Sequence, residues 1–333
     1  MKMLPYSFVV PIYNDAYLAR DFCIVFEQVF RELRPTHDLR NTVELIFVND
    51  GSGSESTLLL RPLVNDFNFV RIIELSRNFG QHVAIACGFK EARGQFVGRT
   101  NVDMQDPLSE IPKMITMLEH SDTDIVIGIY EQRESSWQDR VTAYLFYRFF
   151  NWLTGQETPQ NTSSLRLMSR RYIDAYNTLK ETTRFPQGLD NWLGFNREYI
   201  PIGHMERADG NSSYTLKGRI KLAVDAALSF SDRPLALIFW MGTALITFGL
   251  VYSVYLVVWR LLSSDPIPGY ASLLIFFVIF FGIQNLCIGV VAQYIGKIIL
   301  EVQNRPLFLI KNRFENVSAI ELGGELSEER DSC

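Results

Sequence analysis

Apolar residues arrive in two rhythms along the first two hundred positions. Short runs, Ser7–Ile12, Val43–Asn49 (VELIFVN), Val70–Leu75 (VRIIEL), Phe96–Thr100 and Ile125–Gly128 (IVIG), have the length of strands buried on both faces. Between them, Asp15–Leu33 and His82–Ala92 carry helical spacing. Short apolar strands alternating with helices predict an α/β fold, a mostly parallel sheet flanked by helices. Ligands bind such sheets at the carboxyl ends of the strands. The polar clusters Asn14-Asp15, Asp50-Gly51-Ser52 and Asp103-Met104-Gln105-Asp106 fall there.

The pattern changes after Arg233. Leu235–Trp259 runs for about 25 residues without a charge, and Tyr270–Gly296 is similar. Each exceeds the roughly 20 residues that cross a bilayer core, so two transmembrane helices are expected. Their connecting loop, Leu261–Gly269, holds no Lys or Arg, whereas Arg219, Lys221 and Arg233 precede the pair and Lys297, Arg305, Lys311 and Arg313 follow it. That asymmetry puts both flanks in the cytoplasm. Arg260, at the outer end of the first span, weakens it slightly and can snorkel to the interface. Lys217–Phe230 fits an interfacial amphipathic helix and, equally, a packing helix of the soluble part. The expected plan is a cytoplasmic domain over 1–216, a juxtamembrane helix over 217–233, two spans within 234–300 and a cytoplasmic tail over 301–333. From Glu315 onward that tail is acidic and reads as solvated.

Composition narrows the function classes. A net charge of −5 argues against a general nucleic-acid binder. The four cysteines, Cys23, Cys87, Cys287 and Cys333, are scattered without a CxxC or Cys/His cluster, which argues against a zinc site. The short proline-broken apolar start has no cleavage site, so no signal peptide is expected.

Asp103 and Gln105, two apart at a strand end, can aim two oxygen ligands at one Mg²⁺ or Mn²⁺; the same residues also suit a capped turn before the helix near Pro107. Asp50 is suited to hydrogen-bond a nucleobase or ribose, or simply to turn the chain beside Gly51. Asp15 suits the same nucleoside role, or capping of the next helix. Arg133, Arg140, Arg166, Arg207 and Lys217 lie between the donor region and the membrane, and grouped on one face they would hold a lipid phosphate. Thr183–Asn191 (TRFPQGLDN) has the turn residues of a mobile loop over the site.

Seven segments bear a resemblance: VVPIYND (Val9–Asp15), VNDGS (Val48–Ser52), LSRNFGQ (Leu75–Gln81), NVDMQDP (Asn101–Pro107), LRLMSRR (Leu165–Arg171), RADGNSSY (Arg207–Tyr214) and QYIGKIILEVQNRPLF (Gln293–Phe308). In this order, and followed by two apolar spans, the chain resembles the polyprenyl-phosphate glycosyltransferases, the family of bactoprenol glucosyltransferases and dolichol-phosphate mannose synthases. The resemblance implies a GT-A-type domain and an inverting transfer. The donor would be a UDP- or GDP-linked sugar and the acceptor undecaprenyl or dolichyl phosphate, with Mg²⁺ or Mn²⁺ as cofactor. It implies that Pro11, Tyr13, Asp15, Asp50 and Asn101 serve the donor nucleotide and that Asp103 and Gln105 hold the metal. It puts Arg207 with Asp103 in catalysis, and Ser212 and Tyr214 near the acceptor phosphate. A homo-oligomer, a tetramer by family habit, is expected in the inner or plasma membrane.

Four positions depart from the family pattern. Asn101 stands where a carboxylate is usual, Ser164 where the family has an Asp proposed as base, Leu108 for a second proline and Gln293 for Glu. The rival readings are a catalytically inactive homologue acting in assembly, a polysaccharide synthase and a transporter. A synthase would carry a Gln-x-x-Arg-Trp segment, which is absent. Two uncharged spans offer a transporter little for a translocation path, and one built by an oligomer would leave the soluble motifs unexplained.

Overall fold

The structure, a computed structural model, describes residues 4–130, 148, 162–182, 184, 186–203, 233–262 and 269–316. The chain divides into two compact units: Met1–Trp137, Thr158–Ser213 and Pro306–Cys333 form the first, Gln138–Glu157 and Tyr214–Arg305 the second.

The first unit holds eight strands: β1 (Leu4–Ile12), β2 (Val43–Asn49), β3 (Val70–Leu75), β4 (Gly94–Arg99), β5 (Ile125–Tyr130), β6 (Thr162–Ser169), β7 (Arg197–Ile202) and β8 (Ile310–Phe314). They make one sheet in the order β7-β5-β6-β4-β1-β2-β3-β8. Strands β4, β1, β2 and β3 run parallel, as do β5 and β7; β6 is antiparallel to both β4 and β5, and β8 is antiparallel to β3. Helices α1 (Ala19–Leu33), α2 (Ser54–Leu60), α3 (Leu63–Asp66), α4 (Gln81–Glu91), α5 (Ile111–His120), α6 (Arg170–Thr178) and α7 (Pro186–Leu193) belong with it.

Strands β2 and β3 are buried along their whole length, which is why they read as apolar runs without alternation. Helix α1 buries Phe22, Phe26 and Phe30, four apart on one stripe, and Phe26 and Phe30 meet Phe8 of β1 edge-on at 5.3 and 5.6 Å. Each of these rings buries well over 100 Å² and the edge-on pairs add to that burial. This aromatic seam anchors β1, and with it the residues at its carboxyl end.

Two features differ from the sequence expectation. Strand β8 lies beyond the long apolar helices, yet it completes the sheet edge at β3. Asn312 Nδ2 donates to Glu74 Oε2 at 2.9 Å, and Arg313 donates to both oxygens of Glu91 at 2.9 and 3.1 Å. Glu315, read as the start of a solvated tail, accepts from Arg93 at 3.0 Å and lies 3.1 Å from Arg71 Nε. Arg71 in turn donates to buried Glu44 at 2.6 Å. Second, Thr183–Asn191 was expected to form a mobile loop. Pro186–Asn191 lies instead within α7, where Leu189 and Asp190 are buried; Thr183 lies outside the described residues.

In the second unit, α8 (Arg233–Leu262) and α9 (Tyr270–Val302) are 30 and 33 residues long. Phe248 and Phe281 are among many large apolar side chains they expose. Among the described residues one stretch, Phe280–Val302, is long and apolar enough to cross a membrane; Ile238–Tyr252 is apolar but shorter. The first of the two expected spans therefore does not reach that length by the same measure. The segment 217–230 lies outside the described residues.

Candidate active site

The carboxyl ends of β1, β2 and β4 lie side by side, and hydrogen bonds tie their loops into a continuous rim. Asn14, just past β1, donates its amide N–H to Ser52 Oγ at 3.1 Å. Ser52 N–H donates to Asn49 Oδ1 at 3.0 Å, and Asp50 N–H donates to the Ile12 carbonyl at 2.9 Å. The Asp50 carboxylate then reaches across to the β3–α4 loop. Its Oδ1 accepts from Phe79 N–H at 2.7 Å and its Oδ2 from Gly80 N–H at 2.8 Å. From there Gln81 Nε2 donates to Asn101 Oδ1 at 3.0 Å, and Asn101 Nδ2 donates to Ser164 Oγ at 2.9 Å. The register explains the last link: Arg99 opposes Arg166 across the antiparallel β4–β6 pair, so continuing the pairing by two brings Asn101 opposite Ser164.

The turns are tight. Gly51 has φ +69°, and a Cβ there would lie 2.2 Å from the Arg77 carbonyl carbon, so only glycine fits. Asn14 and Met104 hold positive φ of 64° and 52°. Met104 separates Asp103 from Gln105, and a left-handed backbone at a residue of this type is strain of the sort that gathers at functional sites.

The rim is acidic at one point. Burial raises the Asp15 carboxyl above its ordinary range, and the nearby Asp103 charge raises it further. Asp106, buried and bound by the Tyr130 hydroxyl at 2.6 Å, is raised for the same two reasons, burial first. Asp103, only partly buried, thus sits electrostatically between two carboxyls. Among the described residues no group of three His, Cys, Asp or Glu forms a ready-made metal cage. The donor set still fits one hard cation: a carboxylate and an amide oxygen two apart, both partly exposed, with surplus negative charge around them.

Behind the rim the charge is positive. Arg99 Nε donates to the Ser164 carbonyl at 3.1 Å; burial and then Arg166 lower its pKa to about 10, so it stays cationic at neutral pH. His82, at the start of α4, is pushed down to about 4 by burial and by Arg99 and Arg166, and its buried Nδ1 has no hydrogen-bond partner among the described residues.

Residues 7–176 match the family described as Glycosyl transferase family 2. The chain belongs to this family. Among similar glycosyl transferases is the uncharacterized YkcC of Bacillus subtilis (strain 168), 32% identical over 94% of this chain and 95% of that protein. The SfII prophage-derived bactoprenol glucosyl transferase of Shigella flexneri is 30% identical over 92% of this chain and 97% of its own. The solved mannosyltransferase PcManGT from Pyrobaculum calidifontis, in complex with GDP-Man and Mn²⁺, gives a TM-score of 0.45 at 13% identity over 92% of this chain and 89% of that one. So distant a likeness adds nothing to the family assignment.

The residues expected to serve this glycosyl transferase divide into three groups. Tyr13, Asp15, Asn101, Asp103 and Gln105 stand on the rim, Tyr13 with 53% of its surface exposed. Asp15 makes no side-chain cap bond to the following helical turn; its Oδ1 accepts from Tyr13 N–H at 2.9 Å instead. Pro11 is buried within β1, and Asp50 is 2% exposed with both oxygens on backbone N–H groups, so both shape the rim from inside. Arg166 requires correction. It was expected among lipid-phosphate ligands, but β6 carries it inward, where Asp190 and a closed core take it away from any surface. Arg133, Arg140, Arg207, Ser212, Tyr214 and Lys217 lie outside the described residues. Sequence reading left out Gln81, Arg99 and His82 as site residues. For Gln81 the signal was its place at the end of LSRNFGQ; Arg99 and His82 carried none.

Proposed function

We propose that this glycosyl transferase moves a sugar from a nucleotide-sugar onto a polyprenyl phosphate at the cytoplasmic face of a membrane, with inversion at the anomeric carbon. One observation carries this reading. The match to the SfII bactoprenol glucosyl transferase spans 306 residues, 92% of this chain, so it extends beyond the sheet into the long apolar helices. A lipid-linked acceptor explains why the same chain holds both.

The site's chemistry fits. Tyr13 and Asp15 border the donor side of the rim, with Pro11 and Asp50 holding its shape. Asp103 and Gln105 would hold Mg²⁺ or Mn²⁺, which when bound offsets charge on a departing nucleoside diphosphate. A phosphate monoester has a second pKa near 6, so the acceptor arrives at neutral pH largely as a dianion and needs no base to attack. Single displacement follows, the protein's task being alignment of two anionic reactants.

The test is to incubate the purified protein with a panel of UDP- and GDP-sugars and polyprenyl phosphate, then weigh the chloroform-extracted lipid. The expected product is the acceptor plus one sugar. Polymer would indicate a synthase; no product with any donor would indicate an inactive homologue.

A further inference from the structure

Two of the positions at which this chain departs from its family's acidic pattern touch each other: Asn101 Nδ2 donates to Ser164 Oγ at 2.9 Å. Gln81 Nε2, donating to Asn101 Oδ1 at 3.0 Å, orients the Asn101 amide so that its NH₂ faces the serine. The serine oxygen is therefore an acceptor in this pair, and its own proton remains to be donated. Among the described residues no acceptor takes that proton. The backbone behind is fixed by Arg99, whose Nε holds the Ser164 carbonyl at 3.1 Å. Among the described residues no carboxylate lies within salt-bridge reach of Arg99, whereas Arg166 across the strand pair is matched by Asp190. The wall thus presents neutral donors in front and, behind them, the charge of Arg99, on which Asp190 acts from beyond salt-bridge reach.

We propose that Gln81, Asn101 and Ser164 form an uncharged anion-orienting wall in which Ser164 donates its hydroxyl proton to a phosphoryl oxygen of the reactants. Asn101 and Gln81 are positioning residues that keep the serine oxygen occupied as an acceptor. The inference rests on the transfer reaction proposed above. It assigns Ser164 the opposite role from a carboxylate base: it gives a hydrogen bond to an anion and takes no proton. No covalent step is added, and the displacement proceeds as already described.

The consequence is that restoring acids at these positions harms the enzyme. An aspartate at 164 would face the anionic reactants with like charge, and one at 101 would capture the Ser164 proton. The experiment measures sugar transfer by full-length native protein, Ser164→Ala, Ser164→Thr, Ser164→Asp and Asn101→Asp, with thermal midpoints recorded for each. Ser164→Ala is expected to lower kcat about 10- to 100-fold, as for a lost hydrogen bond to a charged group, with donor KM little changed. Ser164→Thr, which keeps the hydroxyl, restores most of the rate. Ser164→Asp falls below Ser164→Ala, and Asn101→Asp falls toward it. The dependence of rate on pH between about 6.5 and 8.5 keeps its shape in Ser164→Ala, since no enzyme base has been removed. Either aspartate variant matching or exceeding the native rate overturns the proposal, as does Ser164→Ala within twofold of native. If Ser164→Asp fails to fold, Asn101→Asp decides. Native protein that transfers no sugar at all overturns the function itself, and this inference with it.

Discussion

Asp190 binds Arg166 and Tyr172 at once: Arg166 Nη1 donates to its Oδ2, and the Tyr172 hydroxyl donates to its Oδ1 at 2.5 Å. The side chains of Arg166 and Asp190 are 3% and 6% exposed. Such a pair adds little net stability over apolar residues, but removing one partner strands the other's charge. Asp190→Ala is therefore expected to cost about 3–5 kcal/mol, read from urea unfolding. A cost under about 1 kcal/mol would mean that water reaches the pair. Because α7 carries Asp190 and β6 carries Ser164, the loss also loosens the wall of the site.

Asp50 makes a second prediction, in which asparagine is no milder than alanine. Its two oxygens accept two backbone N–H groups, 29 and 30 residues downstream. Asparagine offers one oxygen and turns its NH₂ against the other N–H. Each lost bond to a charged acceptor is worth about 1.5–3 kcal/mol. Both variants are expected to lower the thermal midpoint and to lower kcat at least about tenfold, because the loop they release carries Gln81, which orients Asn101. Steady-state kinetics check this; unchanged kcat in Asp50→Asn would show that the loop holds its place without the carboxylate.

These two residues also show what could and could not be read from the sequence. Val43–Asn49 and Val70–Leu75 appear as strands with the expected bounds, since strands buried on both faces leave a continuous apolar mark. Strand β6, TSSLRLMS, leaves no such mark: it buries Ser163, whose hydroxyl is bound by Leu165 N–H and by Asp106, and Arg166, whose guanidinium is paired with Asp190. Strand β8 reads IKNRF beyond two long apolar helices, and its partners Glu74 and Glu91 are more than 200 residues away. In the site, the DGS turn and the Asp103/Gln105 spacing were legible as residue types at strand ends. The direction of the Asp50 carboxylate was not, because it is set by N–H groups in another loop.

His82 predicts a pH dependence of stability. Its folded-state pKa is held near 4, whereas the unfolded chain protonates it near 6.5. Below about pH 6.5 the unfolded state binds a proton that the folded state refuses, so this residue's contribution to stability falls as pH drops toward 4 and is flat above 6.5. The loss reaches at most about 3 kcal/mol. His82→Gln should remove it, so the difference in urea midpoint between native and variant should change across that window and stay constant from pH 7 upward. A constant difference throughout would mean that His82 titrates normally in the folded protein.

Asp103 carries the cation prediction. Its charge helps to raise both Asp15 and Asp106, so a divalent cation at Asp103 and Gln105 would relieve repulsion already present in the rim. Chelation with EDTA is expected to abolish sugar transfer, and Mg²⁺ or Mn²⁺ to restore it. Asp103→Asn should lower kcat by about 100-fold even in saturating metal, a loss typical of removing charge stabilisation from a leaving group. Binding gives a readout independent of turnover. With nucleoside diphosphate present, Mn²⁺ should raise the thermal midpoint of the native protein and leave that of Asp103→Asn nearly unmoved, because only a state that binds the ion is stabilised by it. Full activity of Asp103→Asn in saturating metal would remove this residue from the cation site. An equal thermal shift in both proteins would place the ion elsewhere on the chain.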